Sequence, residues 1–249
     1  MIVKPISDVH TEDHSDRGVR FFEKLDITLD DTLLMLGDIT PFCRTEEYER
    51  YIADVSRRVK RVLMVTGNHE YYKSYKYPKY SAEEANFFMK EIVSKYPNVK
   101  LLDNEIVEID GQRFIGGTMW YNERRRFDGK RVHVDDIDIV GLEPWVFFQH
   151  AGFIDLIKRE LRPGDIVLTH HAPSSRSSEE KYKHSAMQSC FVHPLDDLIM
   201  ERKPKFWFHG HLHCSSGYYL GETYVVCNPY GYESFAVNMR FDRGLKFEI

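Results

Sequence analysis

The sequence predicts an α/β fold, a sandwich in which helices cover mixed β-sheets. Three observations support this prediction. Short apolar runs of strand length end in polar loops, segments with helical spacing separate several of these runs, and β-hairpin patterns occur later in the chain. Alternating strands and helices are typical of parallel sheets, whereas hairpins add antiparallel strands. The combination therefore predicts sheets with both kinds of pairing.

Five apolar runs predict buried strands, and each of them ends in a loop rich in chemically active side chains. The runs lie at Ile2–Ile6, Thr32–Leu36, 62–65, 166–168 and 206–208. Near-continuous apolar runs of this length are typical of strands that are covered on both faces. Ligand sites in open α/β sheets lie beyond the carboxyl ends of strands, so we expect the five following loops to converge.

Three segments with helical periodicity are also predicted. They lie at residues 45–59, 81–96 and 147–161. Thr45 is expected to cap the first helix, and Ser81 with Glu84 forms a capping-box pattern at the start of the second. The apolar stripe of that second helix consists of Ala85, Phe88, Met89, Ile92, Val93 and Tyr96. This spacing places the stripe against the protein core.

Turn signals predict two hairpins. Asp110 with Gly111 and Gly221 with Glu222 each separate two short strand-like runs, and Asp-Gly is a strong signal for a two-residue hairpin turn. The paired runs are residues 106–109 with 113–115, and residues 218–220 with 223–226. Two further strand candidates close the chain, at residues 235–241 and 245–249.

Length and composition favour a single domain over residues 1–249. The chain has 249 residues, a hydrophobic fraction of 42% and a formal net charge of −5 at pH 7. The negative charge makes nucleic acid a less favoured partner. No apolar run is long enough to span a bilayer, so no membrane association is expected. Four cysteines without paired spacing favour reduced thiols, and we expect a cytoplasmic protein. The sequence does not indicate an oligomeric state.

The loops after the five strands contain carboxylate, amide and imidazole groups that suit transition metals. Asp8 and His10 are two residues apart, so both side chains would point to one side of an extended segment. His211 and His213 repeat this spacing, and Asp38 has two oxygens with which to bridge a pair of ions. The full candidate ligand set is Asp8, His10, Asp38, Asn68, His170, His211 and His213. Such a set suits two divalent or trivalent ions of Mn, Fe, Co, Ni or Zn.

The order of these groups along the chain defines five motifs. They are Asp8-x-His10, Gly37-Asp38, Gly67-Asn68-His69-Glu70, His170 and Gly210-His211-Leu212-His213. The ordered set resembles that of the calcineurin-like metallophosphoesterase superfamily, and it covers residues 8–213. This resemblance implies a four-layer α/β/β/α sandwich with two mixed β-sheets flanked by helices. It also implies hydrolysis of phosphate esters by a dinuclear metal centre.

The resemblance assigns a role to each motif residue. One metal would be held by Asp8, His10, Asp38 and His213, and the other by Asp38, Asn68, His170 and His211. Asp38 would thus take part in catalysis as the shared ligand. Asn68 and His69 are implied to contact the phosphate, and His69 is implied to act as the general acid.

Two positions depart from the family pattern. Ser7 stands where the first motif usually has Gly, which leaves the ligands intact. Pro41 stands where protein phosphatases of the family carry an Asp that pairs with the His of the third motif. The carboxylate partner of His69 is therefore either missing or supplied from elsewhere, which disfavours a protein-phosphatase function. In the fourth motif, alternation along the strand favours His170 over His171 as the ligand.

These features predict a metal-dependent hydrolase that acts on a small phosphate ester through a hydroxide bridging two metals. The alternative enzyme is a nuclease or a phosphodiesterase for cyclic nucleotides or dinucleotides in the same superfamily. The alternative of a different class is a non-catalytic protein-binding scaffold, which the complete ligand set disfavours. Arg124, Arg125 and Arg126 form a basic run that either is solvated or binds a substrate phosphate through the planar guanidinium groups.

Overall fold

Two β-sheets form the centre of the protein in a computed structural model. It describes residues 1–72, 80–122, 126–127, 130–131, 142, 144–183, 185 and 187–249, with the backbone alone described at 126–127 and 130–131. The strands, in chain order, are β1 (Ile2–Ile6), β2 (Thr32–Leu36), β3 (Arg61–Val65), β4 (Val99–Leu101), β5 (Glu105–Ile109), β6 (Gln112–Gly117), β7 (Arg126–Phe127), β8 (Lys130–Arg131), β9 (Ile166–Thr169), β10 (Phe206–His209), β11 (Ser216–Leu220), β12 (Thr223–Cys227), β13 (Gly231–Tyr232), β14 (Ala236–Val237) and β15 (Phe247–Glu248).

Both large sheets combine parallel and antiparallel pairing. The first has the order β15-β1-β2-β3-β4, in which β1 to β4 are parallel and β15 is antiparallel to β1. The second has the order β11-β12-β10-β9-β6-β5, with parallel pairing from β12 to β6 and an antiparallel hairpin at each edge. The two predicted hairpins are these edge hairpins, and the prediction of mixed sheets is confirmed.

The described residues include α-helices that connect the strands. They are α1 (Val19–Glu23), α2 (Thr45–Arg58), α3 (Ala82–Ser94), α4 (Trp145–Glu160), α5 (Gln188–Phe191) and α6 (Asp196–Arg202). The predicted capping box at the start of α3 is present, with Glu84 N–H donating to Ser81 Oγ and Ser81 N–H donating to the Glu84 carboxylate. Among these described helices, none combines the length and apolar character that a membrane crossing requires.

Alternate side chains of β2 face two different cores, which shows how the layers are arranged. Leu33 and Met35 pack in a core shared with residues of α2 and α3. Leu34 and Leu36 pack in a second core, which contains Phe114 and other residues of the opposite sheet. Because successive side chains of a strand point to opposite faces, the first sheet lies between a helical layer and the second sheet.

The second sheet is covered in the same way on its outer face. Val167 of β9 and Trp207 of β10 pack with Phe153 and Ile157 of α4 in a third core. The order of layers is therefore helix, sheet, sheet, helix, as the family resemblance implied. Burial of both strand faces explains why the strand sequences are almost continuously apolar.

Three local predictions differ from the structure. Thr45 does not cap α2, since its hydroxyl donates to the carbonyl of Phe42 instead. Phe88 is 41% exposed although it belongs to the apolar stripe of α3. The strand predicted at 235–241 is reduced to Ala236–Val237, paired with Gly231–Tyr232, and Phe247–Glu248 is the strand formed within 245–249.

Candidate metal centre

The candidate ligands lie in loops that follow β1, β2, β3, β9 and β10, as the sequence predicted. Backbone hydrogen bonds join these loops. Asp8 N–H donates to the carbonyl of Gly37, His10 N–H donates to that of Asp38, and Gly210 N–H donates to that of His170. The first two bonds join loops of the first sheet and the third joins loops of the second. His211 N–H, which donates to the Asp8 carboxylate at 3.0 Å, connects the two sets.

The first group of candidate ligands comprises Asp8, His10 and His213. His213 Nε2 is 3.3 Å from Asp8 Oδ1 and 3.1 Å from His10 Nε2. Asp8 and His10 are fully buried, whereas His213 is partly exposed. One potential ligand atom of each residue lies within 4.8 Å of the others, a spacing at which they could hold an ion.

The second group comprises Asp38, His170 and His211, with Asn68 beside them. His170 Nε2 is 3.3 Å from Asp38 Oδ2, 3.2 Å from Asn68 Oδ1 and 3.1 Å from His211 Nδ1. Asp38 Oδ2 also lies 3.8 Å from His10 Nε2 of the first group. Asp38 is therefore positioned between the two groups, where a bridging ligand would have to lie.

The hydrogen bonding of His170 shows that a cation fits this arrangement. Its Nδ1–H donates to the carbonyl of Leu36 at 2.8 Å, so the neutral ring has its lone pair on Nε2. That lone pair faces a carboxylate and an amide oxygen, which are acceptors as well. Burial lowers the pKa of His170, but the charge of Asp38 raises it to about 10. The lone pair of Nε2 and the oxygens of Asp38 and Asn68 repel one another, and a metal ion bound between them would remove this repulsion.

The backbone at the ligands differs from the sequence prediction. Asp8, His10, Asp38, His211 and His213 all have left-handed conformations, with φ between 49° and 71°. The expectation that each Asp-x-His or His-x-His pair lies in an extended segment is therefore wrong, although both members of each pair do reach the site. Non-glycine residues seldom adopt this conformation, and it costs of the order of 1–3 kcal/mol per residue where the surrounding structure imposes it.

Glu70 links the loops of the second and third motifs through hydrogen bonds. Its buried carboxylate accepts hydrogen bonds from the backbone N–H groups of Asp38 at 2.9 Å, Ile39 at 2.8 Å and Gly67 at 2.7 Å. Burial and the nearby charge of Asp38 raise the pKa of Glu70 to about 7. A Cβ at Gly67 would collide with Asp38 Oδ1 and with the ring of His170, so this approach requires glycine.

His69 lies next to these groups and contacts residues that sequence reasoning missed. Its Nδ1 is 2.8 Å from Glu12 Oε1 and its Nε2 is 3.3 Å from the hydroxyl of Tyr232. Its ring stacks on Tyr72, and its backbone N–H donates to Asp38 Oδ1 at 2.8 Å. Burial lowers the pKa of His69, but Asp38 and Glu12 raise it to about 9. Glu12 lies two residues after His10 in the sequence, but this spacing does not indicate a contact with His69.

Two further histidines are buried behind the candidate ligands. The ring of His171 lies 4.3 Å from that of His211, and its Nδ1–H donates to the carbonyl of Thr118. Burial and the neighbouring His170 lower the pKa of His171 to about 3, so it remains neutral. His209 lies 2.8 Å from the hydroxyl of Ser177. Both are buried, and His171 lies directly against the candidate ligand His211.

A cavity of about 610 Å³ opens beside the candidate ligands. Its lining includes Asp38, Asn68, His69, His211 and His213 and also residues of the segments around Tyr72 and 178–191. Cavities of this size commonly hold small organic ligands. Arg124 and Arg125 lie outside the described residues, as does the side chain of Arg126, so their role stays a prediction.

Comparison with known proteins identifies the family. Residues 3–215 match the family described as calcineurin-like phosphoesterase. The chain belongs to this family. An uncharacterized protein of Acanthamoeba polyphaga mimivirus is 27% identical over 225 residues, which cover 80% of this chain and 78% of that protein. Family membership points to a phosphoesterase, and members generally bind divalent metals.

Solved structures confirm the fold. The crystal structure of phosphopantetheinyl hydrolase from Mycobacterium tuberculosis superposes with a TM-score of 0.74 and is 16% identical in sequence. The match covers 94% of this chain and 93% of that protein. At 16% identity this similarity shows the fold alone, and that fold agrees with the two mixed sheets flanked by helices seen in this chain.

We predict that Glu70→Gln weakens metal binding although Glu70 is not a candidate ligand. An amide has one acceptor oxygen, so at least one of the three backbone N–H groups would face an NH₂ group and lose its partner. An unsatisfied buried donor costs about 1–3 kcal/mol, which should displace Asp38. Isothermal titration with Mn²⁺ measures the loss. Glu91→Gln, on the exposed side of α3, is the control and should bind metal as the wild type does; equal affinities in all three proteins would contradict the prediction.

Proposed function

We propose that the protein is a metal-dependent hydrolase of phosphate esters with a dinuclear centre. The observation that carries this proposal is the shared position of Asp38, whose carboxylate lies 3.8 Å from a nitrogen of the first ligand group and 3.3 Å from one of the second. Two adjoining groups that share a carboxylate are suited to a pair of ions.

We assign the donor atoms to two ions in the way the family resemblance implies. Asp8, His10 and His213 would hold one ion, and Asn68, His170 and His211 the other, with Asp38 contacting both. Ions bound here would lower the pKa of water and offset the negative charge of a phosphate. Nitrogen and oxygen donors of this kind suit Mn, Fe, Co, Ni or Zn.

His69 is the group proposed to act on the leaving oxygen. It lines the cavity, its Nδ1 is engaged by Glu12, and its Nε2 lies 3.3 Å from the hydroxyl of Tyr232. A protonated Nε2 can donate its proton to the ester oxygen as the bond to phosphorus breaks. Asn68, at the edge of the same cavity, can contact the phosphate.

The substrate proposed for the cavity is a small phosphate ester. A volume of about 610 Å³ accommodates a small organic group beyond the phosphate. The structurally similar mycobacterial protein is named a phosphopantetheinyl hydrolase, so esters of that kind belong among the compounds tested. Arg124, Arg125 and Arg126 are proposed to bind an anionic group of a larger substrate.

The alternative functions have weaker support. The net charge of −5 and Glu179 in the cavity lining disfavour a polyanionic nucleic-acid substrate. A non-catalytic scaffold would not need all seven donor residues together with His69. Both alternatives are distinguished by an activity panel of monoesters, diesters, cyclic nucleotides, dinucleotides and DNA.

Metal removal tests the proposed function directly. Exhaustive chelation should abolish hydrolysis of nitrophenyl phosphate or bis-nitrophenyl phosphate, and added Mn²⁺, Co²⁺ or Ni²⁺ should restore it. Elemental analysis of each preparation checks that the metal has been removed and regained. Full turnover by protein shown to be metal-free would rule out the proposal.

Substitution of Asp38 tests its shared position. We expect Asp38→Asn to weaken the binding of both ions, because the amide loses the negative charge and one of two equivalent oxygens. His10→Ala should weaken mainly one ion. Titration calorimetry resolves the two cases, and Asp165→Asn, a buried carboxylate paired with Arg113 outside the site, is the matched control. Identical losses in the Asp38 and His10 variants would count against a shared ligand.

Leaving-group dependence tests His69. We expect His69→Ala to keep both ions but to lower turnover of an alkyl phosphate ester by about 10²–10⁴-fold. The loss should be smaller for a nitrophenyl ester, whose leaving oxygen needs no proton. Steady-state kinetics on both esters with measured metal content give the comparison. A uniform loss, or loss of an ion, would assign His69 another role.

A further inference from the structure

Glu12 contacts two histidines of the site through one carboxylate oxygen. Its Oε1 lies 3.1 Å from Nδ1 of His10 and 2.8 Å from Nδ1 of His69. An ionised carboxylate only accepts hydrogen bonds, so each ring presents its Nδ1–H to Glu12. In both rings Nε2 is therefore left to face the site.

The chain path explains how Glu12 reaches His69, which is 57 positions away. After His10, in its left-handed conformation, Thr11–Asp13 forms a single 3₁₀ turn. Thr11 N–H donates to the carbonyl of Ile39, and Asp13 accepts hydrogen bonds from Ser234. The turn is thus fastened on both sides, and Glu12 points back towards the loop that contains His69.

The other oxygen of Glu12 argues against a purely structural role. Oε2 is buried and has no hydrogen-bond partner among the described residues. A buried acceptor without a partner is unfavourable for folding. A carboxylate at this position is better explained by the hydrogen bonds that Oε1 accepts from the two rings.

We propose that Glu12 is the positioning residue of His69, in place of the carboxylate that protein phosphatases of the family carry where Pro41 stands. It holds the Nδ1–H of His69, so that Nε2 is directed into the cavity towards Tyr232. The inference rests on the proposed function, in which Nε2 gives its proton to the leaving oxygen. The proton on Nδ1 stays where it is and is shared only as a hydrogen bond.

Glu12 also affects the site through its contact with His10. By holding Nδ1–H of His10, Glu12 also directs Nε2 of that ring towards His213 and the first ligand group. Loss of this contact would change metal binding, whereas loss of the His69 contact would change proton transfer. The two routes therefore have different experimental signatures.

A double-mutant cycle between Glu12 and His69 tests the proposal. Glu12→Gln should keep both ions and lower turnover of an alkyl phosphate ester by about tenfold to hundredfold, with a smaller loss for a nitrophenyl ester. In protein that already carries His69→Ala, Glu12→Gln should cause almost no further loss. Glu12→Ala should be more damaging than Glu12→Gln, because Gln keeps one acceptor oxygen for Nδ1–H.

Glu23→Gln is the matched control, since it makes the same change of carboxylate to amide at an exposed position of α1, outside the site. It should leave the ratio of alkyl to nitrophenyl turnover unchanged. A second readout does not depend on activity: ¹⁵N spectra of histidine-labelled, zinc-loaded protein. We expect Nδ1 of His69 to be protonated in the wild type and to lose this fixed state in Glu12→Ala.

Three outcomes would contradict the proposed role of Glu12. An equal loss from Glu12→Gln with and without His69, an emptied metal site, or unchanged ¹⁵N signals of His69 in Glu12→Ala would overturn the proposal. If the wild type shows no metal-dependent hydrolysis at all, the proposed function fails. The ¹⁵N comparison still reports whether Glu12 holds His69, so the two failures are distinguishable.

Discussion

The arrangement of the whole site depends on the carboxylate of Asp38. Its Oδ2 lies near His10 of one ligand group and His170 of the other, while Oδ1 accepts the backbone N–H of His69. One side chain therefore contacts both ligand groups and the backbone of the proposed acid. Its own place is set by a left-handed backbone and by Glu70, which accepts its N–H.

The strained backbone explains why the five loops must be so closely joined. Left-handed conformations at five candidate ligands would relax if each loop stood alone. Hydrogen bonds from Asp8 to Gly37, from His10 to Asp38 and from Gly210 to His170 prevent this. The two-sheet architecture supplies the rigid support, because it brings the ends of parallel strands in both sheets to the same place.

Sequence reasoning predicted the strands, and it predicted that the loops after them lie close together, because both predictions depend on local signals. Apolar runs marked the strands, and the loops after them contained the side chains that the structure brings together. The same reasoning failed for the backbone at Asp8 and His10, since an i, i+2 spacing suits an extended segment and a left-handed pair equally well. Contact between Glu12 and His69 depends on how two loops pack, which spacing along the chain does not encode.

The charge balance of the site favours cations for a reason independent of family membership. Asp8, Asp38 and Glu70 are at least 98% buried, and Glu12 adds a further carboxylate to the same region. Buried carboxylates are costly unless opposite charges or hydrogen bonds compensate them. Glu70 is compensated by backbone N–H groups, whereas Asp8 and Asp38 face imidazole nitrogens, which carry positive charge only when they are protonated. Protons or metal ions must therefore balance the negative charge. The ring nitrogens of these histidines point at shared positions, so one metal ion can bind several of them at once.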